Sequence, residues 1–240
     1  MNAYRNDLSY IHDVGFGGFA NRAAKGLLKL LRQAGITKGV VVDLGCGSGI
    51  WAQKLSGAGY EVWGIDLSPA MIRLARKRVP SVKFLTGSYL KVALPPCDAV
   101  TALGECFNYR FDKRNNLREL SRLFRRVYRA LRPGGLFLFD MAGPGRGNVP
   151  HLRYWEGNGW AILVDVVEDQ RKRQLTRQIM TFRKRGKLYR RDHETHSLHL
   201  FERTEITKQL RQAGFSVHLL HGYGKLPLPK SCTGFMARKP

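Results

Sequence analysis

The first part of the chain alternates between two hydrophobic patterns. Apolar side chains at helical spacing, such as Leu27, Leu31 and Ala34, predict amphipathic helices, and short runs of β-branched residues predict buried strands. The predicted helices lie at 18–34, 50–57, 69–78 and 112–131, and the predicted strands lie at 40–44, 61–66, 82–86, 98–103 and 135–140. Strands that alternate with helices indicate right-handed crossovers, so we expect a doubly wound, mostly parallel α/β sheet.

The pattern changes after Pro150. Beyond it, residue types and spacing predict strands that pair antiparallel with one another, first within an insertion over 150–201 and then at the end of the sequence. The predicted strands of the insertion are 160–169, 174–184 and 188–201, and the last elements are a helix at 203–213 and strands at 215–221 and 233–238.

The composition adds a large positive charge to this picture. The 240 residues include 41 lysines and arginines against 18 aspartates and glutamates, which gives a net charge of +23. Such an excess is typical of proteins that bind nucleic acid, acidic substrates or anionic surfaces, although here it is spread over the whole chain. One face of helix 112–131 carries basic side chains that are either solvated or bind phosphates: Arg118, Arg122, Arg125, Arg126 and Arg129.

The cysteines and the apolar runs exclude several classes of protein. The four cysteines stand far apart without a CxxC pair, so neither a disulfide framework nor a zinc site is expected. No run approaches the roughly 18 consecutive apolar residues of a membrane helix, and the first residues show no secretory signal pattern. We therefore expect a cytoplasmic protein with no metal and no membrane partner.

A glycine-rich loop joins the first predicted strand to the next helix. The segment VVDLGCGSG at 41–49 places glycines where the backbone must turn sharply and approach a ligand closely. The fingerprint of dinucleotide-binding enzymes would put its third glycine at the position of Ile50, so a dehydrogenase is disfavoured. Asp66 closes the second predicted strand, where a carboxylate is placed to accept both hydroxyls of a ribose.

The motif DLGCGSG, Asp66 and the turn LRPGG at 131–135 together resemble the class I S-adenosylmethionine-dependent methyltransferases. The resemblance implies a Rossmann-like sheet of seven strands, mostly parallel with an antiparallel terminal strand, plus the small antiparallel β insertion. It also implies a single domain over 1–240. Its parts would be a lid and helix at 1–34, a donor-binding half at 35–146, an acceptor-side insertion at 150–201 and the end of the sheet at 202–240.

The same resemblance assigns the residues that hold the methyl donor, S-adenosylmethionine, and its product S-adenosylhomocysteine. Asp43 and the glycine loop would hold the methionine part, Asp66 the ribose, and residues after the second and third strands the adenine. Many relatives carry an acid at the end of the third strand, and Ser88 takes its place here. The implied donor site is Asp43, Gly45, Cys46, Gly47, Asp66, Leu67, Met71, Ser88, Tyr89, Leu103 and Gly104.

Candidates for acceptor binding and catalysis come from the start of the chain, the end of the fourth strand and the insertion. Glu105 either contacts a ligand or forms a structural pair, and Cys106 beside it is expected to pack as a small buried residue. The stretch 10–19 is expected to form a flexible cover over the donor. The catalytic candidates are Glu105, His12 and His193, and the substrate candidates are Tyr10, Phe19, Asn108, Tyr109, Arg190 and Arg191.

Three histidines lie close together in the last predicted strand of the insertion. Because side chains alternate across a strand, His196 should point away from His193 and His199, and a shared metal is not expected. Relatives use such an insertion as the roof of the acceptor pocket, which places Arg190 and Arg191 to meet an acidic acceptor there.

The leading hypothesis is therefore methyl transfer to a small molecule by in-line displacement, at a nitrogen, oxygen or carbon nucleophile. The roofed pocket favours an acidic or planar acceptor. One alternative is an RNA methyltransferase, which the charge of +23 favours. The other is a protein that binds the donor without catalysis.

Overall fold

The computed structural model describes residues 4–149 and 152–240, and its elements are numbered in chain order. Helices and strands alternate up to Ala142, as the sequence predicts. The helices are α1 Asn6–Phe16, α2 Gly18–Gln33, α3 Ile50–Gly57, α4 Pro69–Arg78 and α5 Leu117–Ala130. The strands are β1 Gly39–Leu44, β2 Tyr60–Asp66, β3 Lys83–Thr86, β4 Cys97–Ala102 and β5 Leu131–Ala142.

The insertion forms a separate antiparallel sheet, here called the insertion sheet. Its strands are β6 Leu152–Gly157, β7 Trp160–Asp169, β8 Gln174–Arg185 and β9 Leu188–His199, and each pairs with the next. The sequence predicts three of these four strands and misses β6. The chain then continues through α6 Arg203–Gln212, β10 Ser216–Leu220, a short hairpin of β11 Gly222–Tyr223 and β12 Leu226–Pro227, and β13 Cys232–Arg238.

The central sheet has seven strands in the order β10-β13-β5-β4-β1-β2-β3. β1 runs parallel to β2 and β4, whereas β13 runs antiparallel to both of its neighbours, β5 and β10. This confirms the predicted Rossmann-like sheet with an antiparallel terminal strand. The direction of strand succession reverses between β1 and β4, and open α/β sheets bind ligands in the crevice at such a point.

Both faces of the central sheet are buried. Val41 of β1 packs on the side of α2, α3 and α4, whereas Val42 packs on the side of α5 and α6. Strands buried on both faces read as continuous apolar runs, which is why the sequence signal for β1 is strong. No helix in the described ranges is long and apolar enough to cross a membrane.

Two predicted elements need correction. Helix α5 begins at Leu117 and not at 112, because the Asn116 side chain caps it by accepting from the Glu119 N–H at 3.0 Å. Most of the stretch 10–19 belongs to α1, so it is helical where the sequence predicts a flexible segment. Gly15 lies inside that helix. A Cβ at this position would come within 2.7 Å of the Trp160 ring, so the missing side chain permits α1 to pack closely on β7.

Candidate active site

A cavity of about 610 Å³ lies over the carboxyl ends of β1, β2, β4 and β5. Its floor comes from the glycine loop and from residues that follow β2 and β4. Its roof comes from β7, β8 and β9, and one wall comes from α1. The cavity therefore joins the donor half of the chain to the insertion sheet, and its volume is in the range of small-molecule sites.

The glycine loop is shaped by its backbone. Gly45, Gly47 and Gly49 have positive φ angles, which residues with a Cβ rarely adopt. The N–H of Gly47 donates to Asp66 Oδ2 at 2.9 Å, which ties the loop to the end of β2. A Cβ on Gly47 would meet no atom within 4 Å and would project into open space at the cavity. The loop is thus a cradle that a side chain would fill, and a bound donor fits it.

Two acids, the buried Asp43 and the half-buried Asp66, face the cavity from β1 and β2. Thr101 Oγ1 donates to Asp43 at 2.8 Å, and the N–H of Ser68 donates to Asp66 at 2.8 Å. Burial raises the pKa of Asp43 to about 7 and also raises the pKa of Asp66. An amine or a pair of hydroxyls from a ligand would stabilise these carboxylates, so their chemistry fits the methionine and ribose parts of the donor.

The other predicted donor residues line the same cavity. Asp112, which the sequence analysis missed, joins them and accepts a hydrogen bond from Ser88 Oγ at 2.6 Å. Ser88 stands where many relatives carry an acid. Asp112, in a loop 24 positions further along the chain, places a carboxylate beside Ser88. No local sequence motif predicts that Asp112 lies at this site. The remaining predicted donor residues that line the cavity are Cys46, Leu67, Met71, Tyr89, Leu103 and Gly104.

Glu105 lies between the floor and the roof of the cavity, where two arginines hold it. Arg146 Nε lies 2.5 Å from one carboxylate oxygen, and Arg177 Nη2 lies 2.7 Å from the other. These cations hold the pKa of Glu105 at about 2 against the opposing effect of burial. An acid of that strength, with both oxygens engaged, does not exchange protons near neutral pH. Glu105 is therefore a structural partner of the arginines, which corrects its candidacy as a catalytic group.

One face of the insertion sheet forms the roof. Side chains alternate along a strand, so the residues of β7 and β8 that line the cavity are spaced two positions apart. Arg177 also donates to the Tyr109 hydroxyl at 2.7 Å. The cavity-lining residues of the insertion sheet are Arg153, Trp155, Ile162, Val164, Val166, Arg177, Ile179 and His196.

Four predicted acceptor residues lie outside the cavity: Tyr10, Asn108, Arg190 and Arg191. Arg190 is near the tip of the β8–β9 hairpin and pairs with Asp7 of α1, and Arg191 is exposed. Tyr10 is covered by Arg183, whose guanidinium carbon lies 3.7 Å from the centre of the ring. Arg190 and Tyr10 thus join α1 to the insertion sheet, whereas Arg191 contacts Met180 of β8, and the structure places all three away from the predicted acceptor site.

Asn108, a predicted acceptor residue, and His193, a predicted catalytic residue, do not line the cavity. Asn108 is fully buried, and its amide donates to the carbonyls of Ala142 at 2.8 Å and His199 at 2.6 Å, so it joins the loop after β4 to the strands around it. His193 is exposed on the outer face of the insertion sheet, whereas His196 lines the cavity. The alternation of the histidines along β9 agrees with the prediction, and the structure places His196, not the predicted candidate His193, on the cavity.

His12, Phe19 and Tyr109 do line the cavity. Burial lowers the pKa of His12 to about 4, so its imidazole is neutral near pH 7. The helix that carries it is held by Asp7, which is 2% exposed and pairs with Arg183 and Arg190 of the insertion sheet. In the described part of the chain, no cluster of histidine, cysteine and carboxylate side chains is arranged to hold a metal ion.

Replacing Asp66 by alanine is expected to weaken S-adenosylhomocysteine binding by about 1–3 kcal/mol, because a ribose hydroxyl pair would lose its acceptor. Isothermal titration calorimetry measures the change. Glu61→Ala is the matched control, since Glu61 lies on the same strand with an exposed side chain and contacts Lys83 and not the cavity. Equal affinities for the two variants would refute the assignment of Asp66 to the ribose.

Comparisons with known proteins agree with this geometry. The model of a family described as "Methyltransferase domain" matches residues 41–135. A putative methyltransferase of Bacillus subtilis, YqeM, is 28% identical over 198 residues, which is 75% of each chain.

Two solved structures share the fold. A S-adenosylmethionine-dependent methyltransferase from Clostridium acetobutylicum has a TM-score of 0.81 at 17% identity, over 97% of this chain and 98% of that one. CalS10, an amino pentose methyltransferase from Micromonospora echinaspora with S-adenosylmethionine bound, has a TM-score of 0.77 at 20% identity, over 100% and 99%. With its glycine loop, its two acids and its seven-stranded sheet, this chain carries a methyltransferase domain over 41–135 and has the class I Rossmann-like fold of S-adenosylmethionine-dependent methyltransferases.

Proposed function

We propose that this enzyme methylates a small molecule that carries an anionic group, a carboxylate or a phosphate. S-adenosylmethionine, when bound, supplies an electrophilic methyl group on a sulfonium sulfur, and the protein mainly has to orient the acceptor toward it. Asp43, the glycine loop and Asp66 would hold the donor on the floor of the cavity. The acceptor would then lie beneath the insertion sheet.

The observation that carries the proposal is an excess of arginine in the acceptor half of the cavity. Arg146 and Arg177 share the single carboxylate of Glu105. Arg153 lines the same cavity, and no carboxylate lies within salt-bridge distance of it among residues 4–149 and 152–240. Its burial and the nearby charges of Arg146 and Arg177 lower its pKa. An anionic group on the acceptor would compensate this local excess of positive charge.

Three further observations favour a small acceptor over RNA. The basic stripe of α5 is partly used within the fold, since Arg126 donates to the carbonyls of Tyr89 and Val92 at 2.8 and 2.9 Å, and Arg122 pairs with Glu119. The described cavity is roofed by the insertion sheet and walled by α1. The fold is also that of CalS10, whose name gives an amino pentose as its acceptor class.

Arg153→Gln is expected to weaken binding of an anionic acceptor by about 10–100-fold, because a hydrogen bond to a charged group contributes roughly 1.5–3 kcal/mol. Benzoate and phenyl phosphate are suitable probes, titrated by calorimetry into protein saturated with S-adenosylhomocysteine. Arg122→Gln serves as the control, since it removes a basic residue of α5 that lies away from the cavity. Transfer of labelled methyl groups to total RNA, together with no binding of either probe, would contradict the proposal.

A further inference from the structure

A buried histidine–glutamate pair lies on the inner face of β9. His196 Nε2 is 3.0 Å from Glu194 Oε2, and the two residues are 1% and 6% exposed. The other oxygen of Glu194 accepts the backbone N–H of Arg5 at 2.8 Å, which fixes the carboxylate. His196 lines the cavity and Glu194 does not, so the imidazole stands between the carboxylate and the cavity.

The partner of Nε2 determines where the imidazole proton lies. A carboxylate only accepts hydrogen bonds, so Nε2 of the neutral ring carries the hydrogen and Nδ1 carries a lone pair. Nδ1 is buried and has no hydrogen-bond partner among the described residues. A buried polar atom without a partner costs free energy, and the fold satisfies most others. The cavity-lining side chain of His196 thus carries a buried proton acceptor that has no partner among the described residues.

We propose that His196 is the general base that removes a proton from the acceptor's nucleophile, an inference that rests on the proposed function. As the nucleophile forms its bond to the methyl carbon, its proton passes to His196 Nδ1. The electron pair of the broken carbon–sulfur bond stays on sulfur, which becomes a neutral thioether. The imidazolium that forms is stabilised by Glu194 until the proton leaves to solvent. The acceptor therefore bears an O–H or an N–H group in addition to its anion.

The surroundings of His196 distinguish it from the other candidate bases. Arg177 lies opposite it on β8, and the rings of Tyr4, Tyr109 and Phe111 pack around it at centroid distances of 4.9, 5.9 and 4.7 Å.

The remaining charged or titratable groups near the pair are His12 on α1 and Arg5, whose Nε lies 3.8 Å from Glu194. His12 has no carboxylate hydrogen-bonded to its ring in the described ranges, and Glu105 is held ionised by two arginines. Among the described residues, His196 is the cavity-lining histidine whose ring is hydrogen-bonded to a carboxylate.

Nuclear magnetic resonance of the wild-type protein tests the inference without requiring turnover. Protein labelled with nitrogen-15 in its histidines and saturated with S-adenosylhomocysteine is titrated with benzoate, and separately with 2-, 3- and 4-hydroxybenzoate. We expect all the carboxylates to bind, and at least one hydroxybenzoate to shift the Nδ1 resonance of His196 through a hydrogen bond that benzoate lacks. Binding of every ligand without that shift would overturn the role of His196 alone. Failure of every ligand to bind would overturn the proposed function, and this inference with it.

Kinetics on whichever probe accepts a methyl group give the second test. His196→Phe keeps the ring volume and should lower kcat at pH 7 about 100-fold or more, with partial recovery as rising pH ionises the acceptor itself. Glu194→Gln should move the acidic limb of the pH–rate profile to lower pH, because the imidazolium loses its stabilising charge. His193→Phe is the matched control, since His193 lies on the outer face of the same strand. Unchanged kcat and pH profiles in the first two variants would refute the inference.

Discussion

Gly47→Val is expected to lower the affinity for S-adenosylhomocysteine by at least about 100-fold, the largest loss among the substitutions considered. The new side chain would project into the open space of the glycine cradle, where a donor must lie for its methionine part to meet Asp43. The backbone N–H of Gly47 also holds Asp66 at 2.9 Å, so any shift of the loop would move the second acid as well. Each 1.4 kcal/mol lost reduces the affinity tenfold, and overlap with the ligand costs more than that.

Part of any effect at Gly47 comes from its φ of +54°, which a branched residue adopts only at a cost. Gly186→Val isolates that contribution. Gly186 has a φ of +62° and open space around its missing Cβ, but it lies in the turn between β8 and β9, away from the cavity. Calorimetry should give wild-type affinity for Gly186→Val and no measurable binding for Gly47→Val. Normal binding by both variants would mean that the loop is only a structural turn.

Arg177→Met is expected to lower the free energy of unfolding at pH 7 by about 3 kcal/mol, because it leaves a buried carboxylate with only one of its two cations. The side chains of Arg177 and Glu105 are 17% and 10% exposed, so solvent does little to replace the lost charge. The hydrogen bond from Arg177 to the Tyr109 hydroxyl is lost as well. Urea unfolding of the two proteins measures the difference.

The same substitution should show a defined pH dependence. The pKa of Glu105 is about 2 in the folded protein and about 4.3 in an unfolded chain, so its ion pairs stabilise the fold fully above pH 4.3. That stabilisation is lost as the pH falls toward 2. The deficit of Arg177→Met should therefore be largest near neutral pH and shrink below pH 4.3. Arg173→Met, which removes an exposed pair with Glu205, should cost less than about 1 kcal/mol. Equal deficits for both variants would contradict the argument.

The sequence predicts the donor half well because its signals are local. Strand β1, the glycine loop and Asp66 lie within 30 positions of one another. Strands that are buried on both faces also appear in the sequence as continuous apolar runs. The acids and the loop are brought together by the parallel pairing of β1 and β2, which the alternating pattern predicts. Placement of these residues therefore follows from periodicity together with the rule that ligands lie at carboxyl strand ends.

The acceptor half could not be predicted in the same way, because its contacts join distant segments. Arg177 and Glu105 are 72 positions apart in the sequence, and Arg146 and Glu105 are 41 apart. No local sequence pattern therefore predicts either ion pair. The choice between His193 and His196 depended on which face of β9 is buried, and that is decided by how the insertion sheet sits on the central sheet. The charge of Arg190 predicts a contact with an acidic acceptor, but in the structure Arg190 pairs with Asp7, 183 positions earlier in the chain.

The attachment of α1 to the insertion sheet also determines when the cavity is assembled during folding. Asp7 and Arg190 are 183 positions apart, and Arg5 and Glu194 are 189 apart, so these contacts close nearly the largest loops that the chain contains. Closing a loop of that size costs chain entropy before any contact compensates it. The central sheet, with its shorter-range pairings, can form without them. We therefore expect the roof and the first helix to meet late in folding, and the cavity to be among the first parts to open when the protein is destabilised.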